Sequence, residues 1–109
     1  TECKKIATLA EAYYVQVAPH SPQGPVSTAA CAHLALSIPN FLILEFVRSA
    51  PYRDRVLREA WAVRDGHLEV PDRPGLGIDL DEEALAASPA RTVGVPRGAW
   101  AADGSVADV

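Results

Sequence analysis

The apolar run Phe41-Leu42-Ile43-Leu44 constrains this chain more than any other feature. It lacks the polar alternation of a half-solvated strand, so it reads as a strand buried on both faces of a parallel sheet. The run closes on a carboxylate, Glu45. A parallel neighbour requires a crossover connection, usually a helix, and the residues before it supply one. Tyr14–Ala18 reads as a short strand stopped by Pro19, whose ring fixes φ and which has no N–H to donate. Residues 19–24, PHSPQG, form a loop. Gly24-Pro25 then opens a helix with Pro at the first helical position, where the missing N–H costs nothing. This helix is predicted to run to about Ser37, to bury Val26, Ala29, Ala30 and Leu34, and to pack closely through its small residues. Pro39-Asn40 ends it. Ahead of all this, residues 2–13 read as a helix with Ile6, Leu9, Ala10 and Tyr13 on one apolar stripe. Thr1 is its candidate N-cap, and Glu2 suits the positive end of the helix dipole.

Residues 1–46 thus read α-β-α-β, with a βαβ unit at the centre. So short a stretch cannot close a doubly wound sheet or a barrel, and the reading is a slice of one. The chain opens TECKKIATLAEAYY, without Met and with a helical pattern already running. It is therefore expected to begin inside a domain. The second half changes character. Tyr52 to Glu59 suits one or two helical turns. Residues 61–70, WAVRDGHLEV, read as a hairpin around a type I′ Asp65-Gly66 turn, with Val63 facing Leu68 and Trp61 facing Val70. PDRPGLGIDL is extended, Asp81 caps a short acidic helix from Glu82 to Ala87, and the remainder to Val109 reads as irregular.

Composition excludes several classes. The chain has 109 residues, one domain at most, and a formal charge of −4. A mildly acidic chain lacks the basic stripe of a nucleic-acid binder. No apolar run approaches the roughly 18 residues of a membrane span. Cys3 and Cys31 make neither a disulfide framework nor a zinc site, and both read as small core-filling residues.

His20 lies just past the end of the first strand and Glu45 closes the second. In a parallel α/β arrangement both fall at the carboxyl ends of the strands, where active sites are built. A His and a carboxylate there can act as general base and hydrogen-bonding partner. A carboxylate ending an apolar strand also needs a partner or a site. His33, within the second helix, and His67, beside the hairpin turn, read as structural or solvated. Gly75-Leu76-Gly77 is no dinucleotide fingerprint, because no third glycine and no βα turn accompany it. Asp79, Asp81, Glu82 and Glu83 suit a helix N-terminal turn rather than a cation site. Arg53, Arg55 and Arg58, interleaved with Asp54 and Glu59, suit a solvated face.

The string APHSPQGPVSTAACAHLALSIPNFLILE, Ala18 to Glu45, resembles the C-terminal barrel section of the enolase superfamily. Within that superfamily it is most similar to the mandelate racemase-like sugar-acid dehydratases. The later DGHLEVPDRPGLGIDLDEE and DGSVAD segments agree with the resemblance, which covers nearly the whole chain. It implies an α/β fold: the C-terminal slice of a (β/α)8, TIM-like barrel. Residues 2–13 would be the sixth barrel helix, Val15–Ala18 the seventh strand, Pro25–Ser37 the seventh helix and Phe41–Glu45 the eighth strand. Residues 1–50 would close the barrel, and 51–109, with the hairpin, would return to a capping domain.

The same resemblance implies an enzyme. The His matching His20 would abstract the proton α to a substrate carboxylate. The Glu matching Glu45 would stabilise the enediolate by hydrogen bonding, and water would leave from C3. Mg²⁺ would hold the substrate carboxylate. Its three carboxylate ligands belong to earlier strands, so no metal ligand is expected in this chain and they are expected upstream of Thr1. The Asp that pairs with the His, the acid that protonates the leaving hydroxyl and the capping half are likewise missing. The chain alone is therefore expected to bind no Mg²⁺ and to be inactive. The implied whole is a cytoplasmic homo-oligomer acting on a small sugar acid, with no nucleic-acid or membrane partner. A racemase or epimerase of the same superfamily, and a non-catalytic fragment, are the competing readings.

Overall fold

In a computed structural model of the chain, residues 1–47, 54–88 and 103–105 are described. The elements are α1 (Glu2–Ala12), α2 (Pro25–Leu36), β1 (Val63–Arg64), β2 (His67–Leu68) and α3 (Glu82–Ala86). Among the described residues no helix is long and apolar enough to cross a membrane.

Helix α1 ends through backbone geometry. Tyr14 N–H donates to Glu11 O at 2.9 Å and Val15 N–H donates to Ala10 O at 2.9 Å. This is the paired bonding of a Schellman motif, and it requires a left-handed residue where glycine is usual. Here that residue is Tyr14, at φ +58. At the other end Thr1 takes the N-cap position but its side chain makes no capping bond. The expected apolar stripe is not covered: Ile6, Leu9 and Tyr13 are exposed, and the buried residue of α1 is Ala7.

Two extended segments flank α2, as a βαβ unit requires, but they pair over a shorter length than the expected strands. Val17 and Phe41 form a single parallel bridge. Val17 N–H donates to Asn40 O at 2.8 Å and Leu42 N–H donates to Val17 O at 2.9 Å. Glu45 N–H then reaches Pro19 O at 3.3 Å. The expectation of burial on both faces of Phe41–Leu44 is corrected, because Leu42 and Ile43 are exposed. An apolar run records which side chains require cover; the described residues put neighbours on only part of that surface.

Helix α2 begins at Pro25 with Gly24 as N-cap, as the sequence predicts. Its buried side is Pro25, Thr28, Ala29 and Ala32. Of the expected set only Ala29 is buried. Val26 and Ala30 are exposed and Leu34 is half-buried, so the packed face is rotated toward the small residues. Lys4 Nζ donates to Ser37 O, tying α1 to the carboxyl end of α2. Asn40 Nδ2 donates to Ala7 O at 3.0 Å and to Val15 O at 2.9 Å, joining α1 to both extended segments.

The hairpin forms with Val63 opposite Leu68 and Arg64 opposite His67. Asp65 at φ +48 and Gly66 at φ +78 give both central residues the positive φ that a type I′ turn needs. Glu69 N–H to Ala62 O at 3.0 Å carries the pairing one step further. Of the Tyr52–Glu59 segment, residues 52 and 53 lie outside the described ones; Leu57 N–H closes a turn on Asp54 O at 3.0 Å. Leu57 is buried and bridges Leu80 in antiparallel fashion, bringing the extended PGLGIDL stretch back alongside. Asp81 caps α3 by accepting from Ala84 N–H at 3.0 Å. Most of the segment to Val109, read as irregular, lies outside the described residues.

Candidate active site

The Val17–Phe41 bridge fixes the register of the two extended segments, and with it the relation between the residues at their carboxyl ends. His20 and Glu45 come together past that bridge. His20 Nε2 stands 3.4 Å from Glu45 Oε2. That spacing suits an ion pair and is long for a hydrogen bond. The pair sits at the surface, with the His20 side chain 75% and the Glu45 side chain 43% exposed, so both are open to an approaching ligand.

The carboxylate is held more firmly than the imidazole. Ser21 N–H donates to Glu45 Oε2 at 3.1 Å, and Pro19 O accepts from the Glu45 backbone at 3.3 Å. The loop after the first segment thus grips Glu45 at its backbone and its side chain. Ser21 itself is fully buried. Its hydroxyl lies 3.4 Å from Thr28 Oγ1, one turn into α2, and Thr28 Oγ1 also reaches Gly24 O at 3.4 Å. Neither Ser21 nor Thr28 was marked as functional by the sequence. The signal available was the PHSP string itself: a Ser between a His and a Pro, where the proline restricts the preceding residue to extended backbone.

The other candidates are held elsewhere. His33 Nε2 contacts Leu76 O at 3.2 Å, fastening α2 to the PGLG turn. His67 Nδ1 lies 2.9 Å from Asp65 O within the hairpin. Asp81 is occupied as a helix cap. Glu59 pairs with Arg73 at 2.6 Å, and Arg53 lies outside the described residues. That pair raises the Arg73 guanidinium above its ordinary value, chiefly through the side-chain hydrogen bond. Cys3 is exposed and Cys31 half-buried, so the expectation of core filling fails at Cys3. It lies one turn before Ala7 on the same face of α1, at the end of the helix that the described residues leave uncovered.

Among the described residues no group of three or more His, Cys, Asp or Glu side chains is placed to hold a metal ion. His20 and Glu45 alone do not fit magnesium, which demands near-octahedral oxygen ligation. What the arrangement can do is proton chemistry: a solvent-open imidazole beside a carboxylate oriented by a backbone donor.

Residues 1–84 match the family of enolase C-terminal domain-like proteins. The chain is 41% identical over 107 residues to a D-galactonate dehydratase family member of Streptomyces bingchenggensis, covering 96% of this chain and 26% of that protein. The crystal structure of a mandelate racemase/muconate lactonizing enzyme from Sulfitobacter sp. superimposes with a TM-score of 0.77 at 43% identity, over 85% of this chain and 23% of that one. A putative L-alanine-DL-glutamate epimerase from Burkholderia xenovorans, bound to magnesium and fumarate, superimposes with a TM-score of 0.73 at 35% identity, over 83% and 23%. The chain spans about a quarter of the length of these relatives. With α2 set between two parallel segments and an extended return beyond the hairpin, the chain belongs to the family of enolase C-terminal domain-like proteins.

Proposed function

We propose that this chain is the C-terminal part of a sugar-acid dehydratase acting on an aldonate, with D-galactonate the favoured substrate. The observation that carries the reading is the His20–Glu45 pair, 3.4 Å apart where the two parallel segments end. In the complete enzyme neutral His20 takes the proton from the carbon α to the substrate carboxylate, and the C–H electrons pass into an enediolate. The C3–O bond then breaks and the hydroxyl leaves as water. The enol left behind tautomerises to a 2-keto-3-deoxy acid. An α-proton beside a carboxylate is very weakly acidic, so the developing charge must meet donors already in place.

Glu45 supplies one such donor when it carries a proton. Ser21 N–H donates to Oε2 and so fixes the orientation in which the Glu45 carboxyl group is presented. Magnesium would supply charge neutralisation at the substrate carboxylate in the complete enzyme. Its ligands, the Asp that orients His20 and the acid for the leaving hydroxyl would all come from outside this chain. On this reading residues 1–50 close a barrel as its last helices and strands, and 51–109 run back to a capping domain. The complete enzyme is a cytoplasmic homo-oligomer.

A second reading is favoured by the superposition on a putative epimerase: the same base and metal would serve an epimerase that keeps the hydroxyl. The test is a panel of aldonic acids offered to the complete enzyme with Mg²⁺. A 2-keto-3-deoxy product from D-galactonate is expected. Inversion at the α-carbon without loss of water would contradict dehydration.

A further inference from the structure

We propose that Ser21 is a positioning residue for Glu45, clamped by Thr28; this rests on the reading of His20 and Glu45 as the working pair. A glutamate side chain at a strand end has several rotamers, and at 43% exposure packing alone does not select one. The Ser21 N–H, 3.1 Å from Oε2, selects the rotamer that keeps the carboxylate beside His20. That N–H is only as fixed as the residue bearing it. Ser21 is 0% and Thr28 1% exposed. Burying hydroxyls is unfavourable unless they find partners. Here Thr28 Oγ1 lies within reach of Gly24 O and of the Ser21 hydroxyl. Thr28 has one hydroxyl proton; when it donates to Gly24 O, it accepts from Ser21. The first turn of α2 thereby anchors the loop, the loop anchors the amide, and the amide aims the carboxylate. Pro22 removes helical backbone from the choices open to Ser21.

The complete enzyme labelled with ¹⁵N-serine tests this, with the residue 21 amide followed against pH. An amide proton bonded to a carboxylate moves when that carboxylate ionises, so a step that reports the ionisation of Glu45 is expected, and that step should vanish in Glu45→Gln. Thr28→Val keeps the shape of the side chain but removes the hydroxyl. It should abolish the step and lower kcat about tenfold at unchanged KM, as small misplacements do. Thr28→Ser should restore both. If Thr28→Val does not fold, Ser21→Ala with ¹⁵N-alanine labelling makes the same comparison, since it keeps the N–H and loses the hydroxyl. An amide indifferent to Glu45, or a step and kcat unchanged in Thr28→Val, overturns the proposal. Failure of the underlying reading shows separately, as α-proton exchange that survives in His20→Asn while the amide step is untouched.

Discussion

Val17 pairs with Phe41 across a parallel bridge, and that register sets His20 beside Glu45. The bridge is short, so its surroundings matter to the site. Asn40 is the chief of these, because its Nδ2 donates to carbonyls on both α1 and the first extended segment.

Asn40→Ala should therefore destabilise the complete enzyme by about 1–3 kcal/mol, the cost of leaving polar groups without partners. Asn40→Asp should cost more, since it sets acceptor oxygens against the Ala7 and Val15 carbonyls. Thermal unfolding midpoints check the order. Equal midpoints for wild type and Asn40→Asp would contradict the bracing role.

Tyr14 holds a left-handed backbone at φ +58 with its side chain 97% exposed. A left-handed conformation costs a residue bearing Cβ roughly 1–2 kcal/mol, and glycine escapes that cost at the expense of extra unfolded-state entropy. Tyr14→Gly should raise the unfolding midpoint of the 109-residue chain or leave it unchanged. A clear drop would mean that the Tyr14 ring contributes contacts worth more than the strain.

Much of the local structure was legible because it is set by neighbours in sequence. Gly24-Pro25 marks the start of α2, Asp65-Gly66 sets the hairpin register, and Asp81 caps α3. Burial was less legible. Ile6, Leu9, Leu42 and Ile43 carry the pattern of core residues but are exposed, and Ala7 is buried instead. Periodicity identifies an apolar face, not what covers it. The site was legible in its two ends and not in its support. His20 and Glu45 stand where strand ends place reactive groups, whereas Ser21, Thr28 and Asn40 act on partners that only the fold brings near. Ser21 reaches Glu45 across 24 positions and Asn40 reaches Ala7 across 33. Small polar residues serve so many local purposes that nothing nearby in sequence betrays such a contact.

The 109-residue chain by itself should show no saturable Mg²⁺ binding and no turnover of any aldonic acid. His20 and Glu45 make only a pair, short of the near-octahedral oxygen ligation that magnesium demands. The exposed apolar side chains of α1 and of residues 42 and 43 should also make the chain marginal in stability or self-associating. Calorimetric titration with MgCl₂, a semicarbazide assay for 2-keto acids and sedimentation check these points. Stoichiometric Mg²⁺ uptake or product formation would contradict them.

The most direct measurement is exchange of the substrate α-proton with D₂O, followed by NMR in the complete enzyme carrying His20→Asn. Asparagine keeps a polar side chain but cannot accept the proton as imidazole does. Exchange and dehydration should both be abolished, while Mg²⁺ binding survives. Glu45→Gln should be milder, since an amide still donates a hydrogen bond. The gap between the two should reflect the roughly 10²–10⁴-fold contribution of general-base catalysis. Exchange at near wild-type rate in the His20→Asn enzyme would show that His20 is not the base.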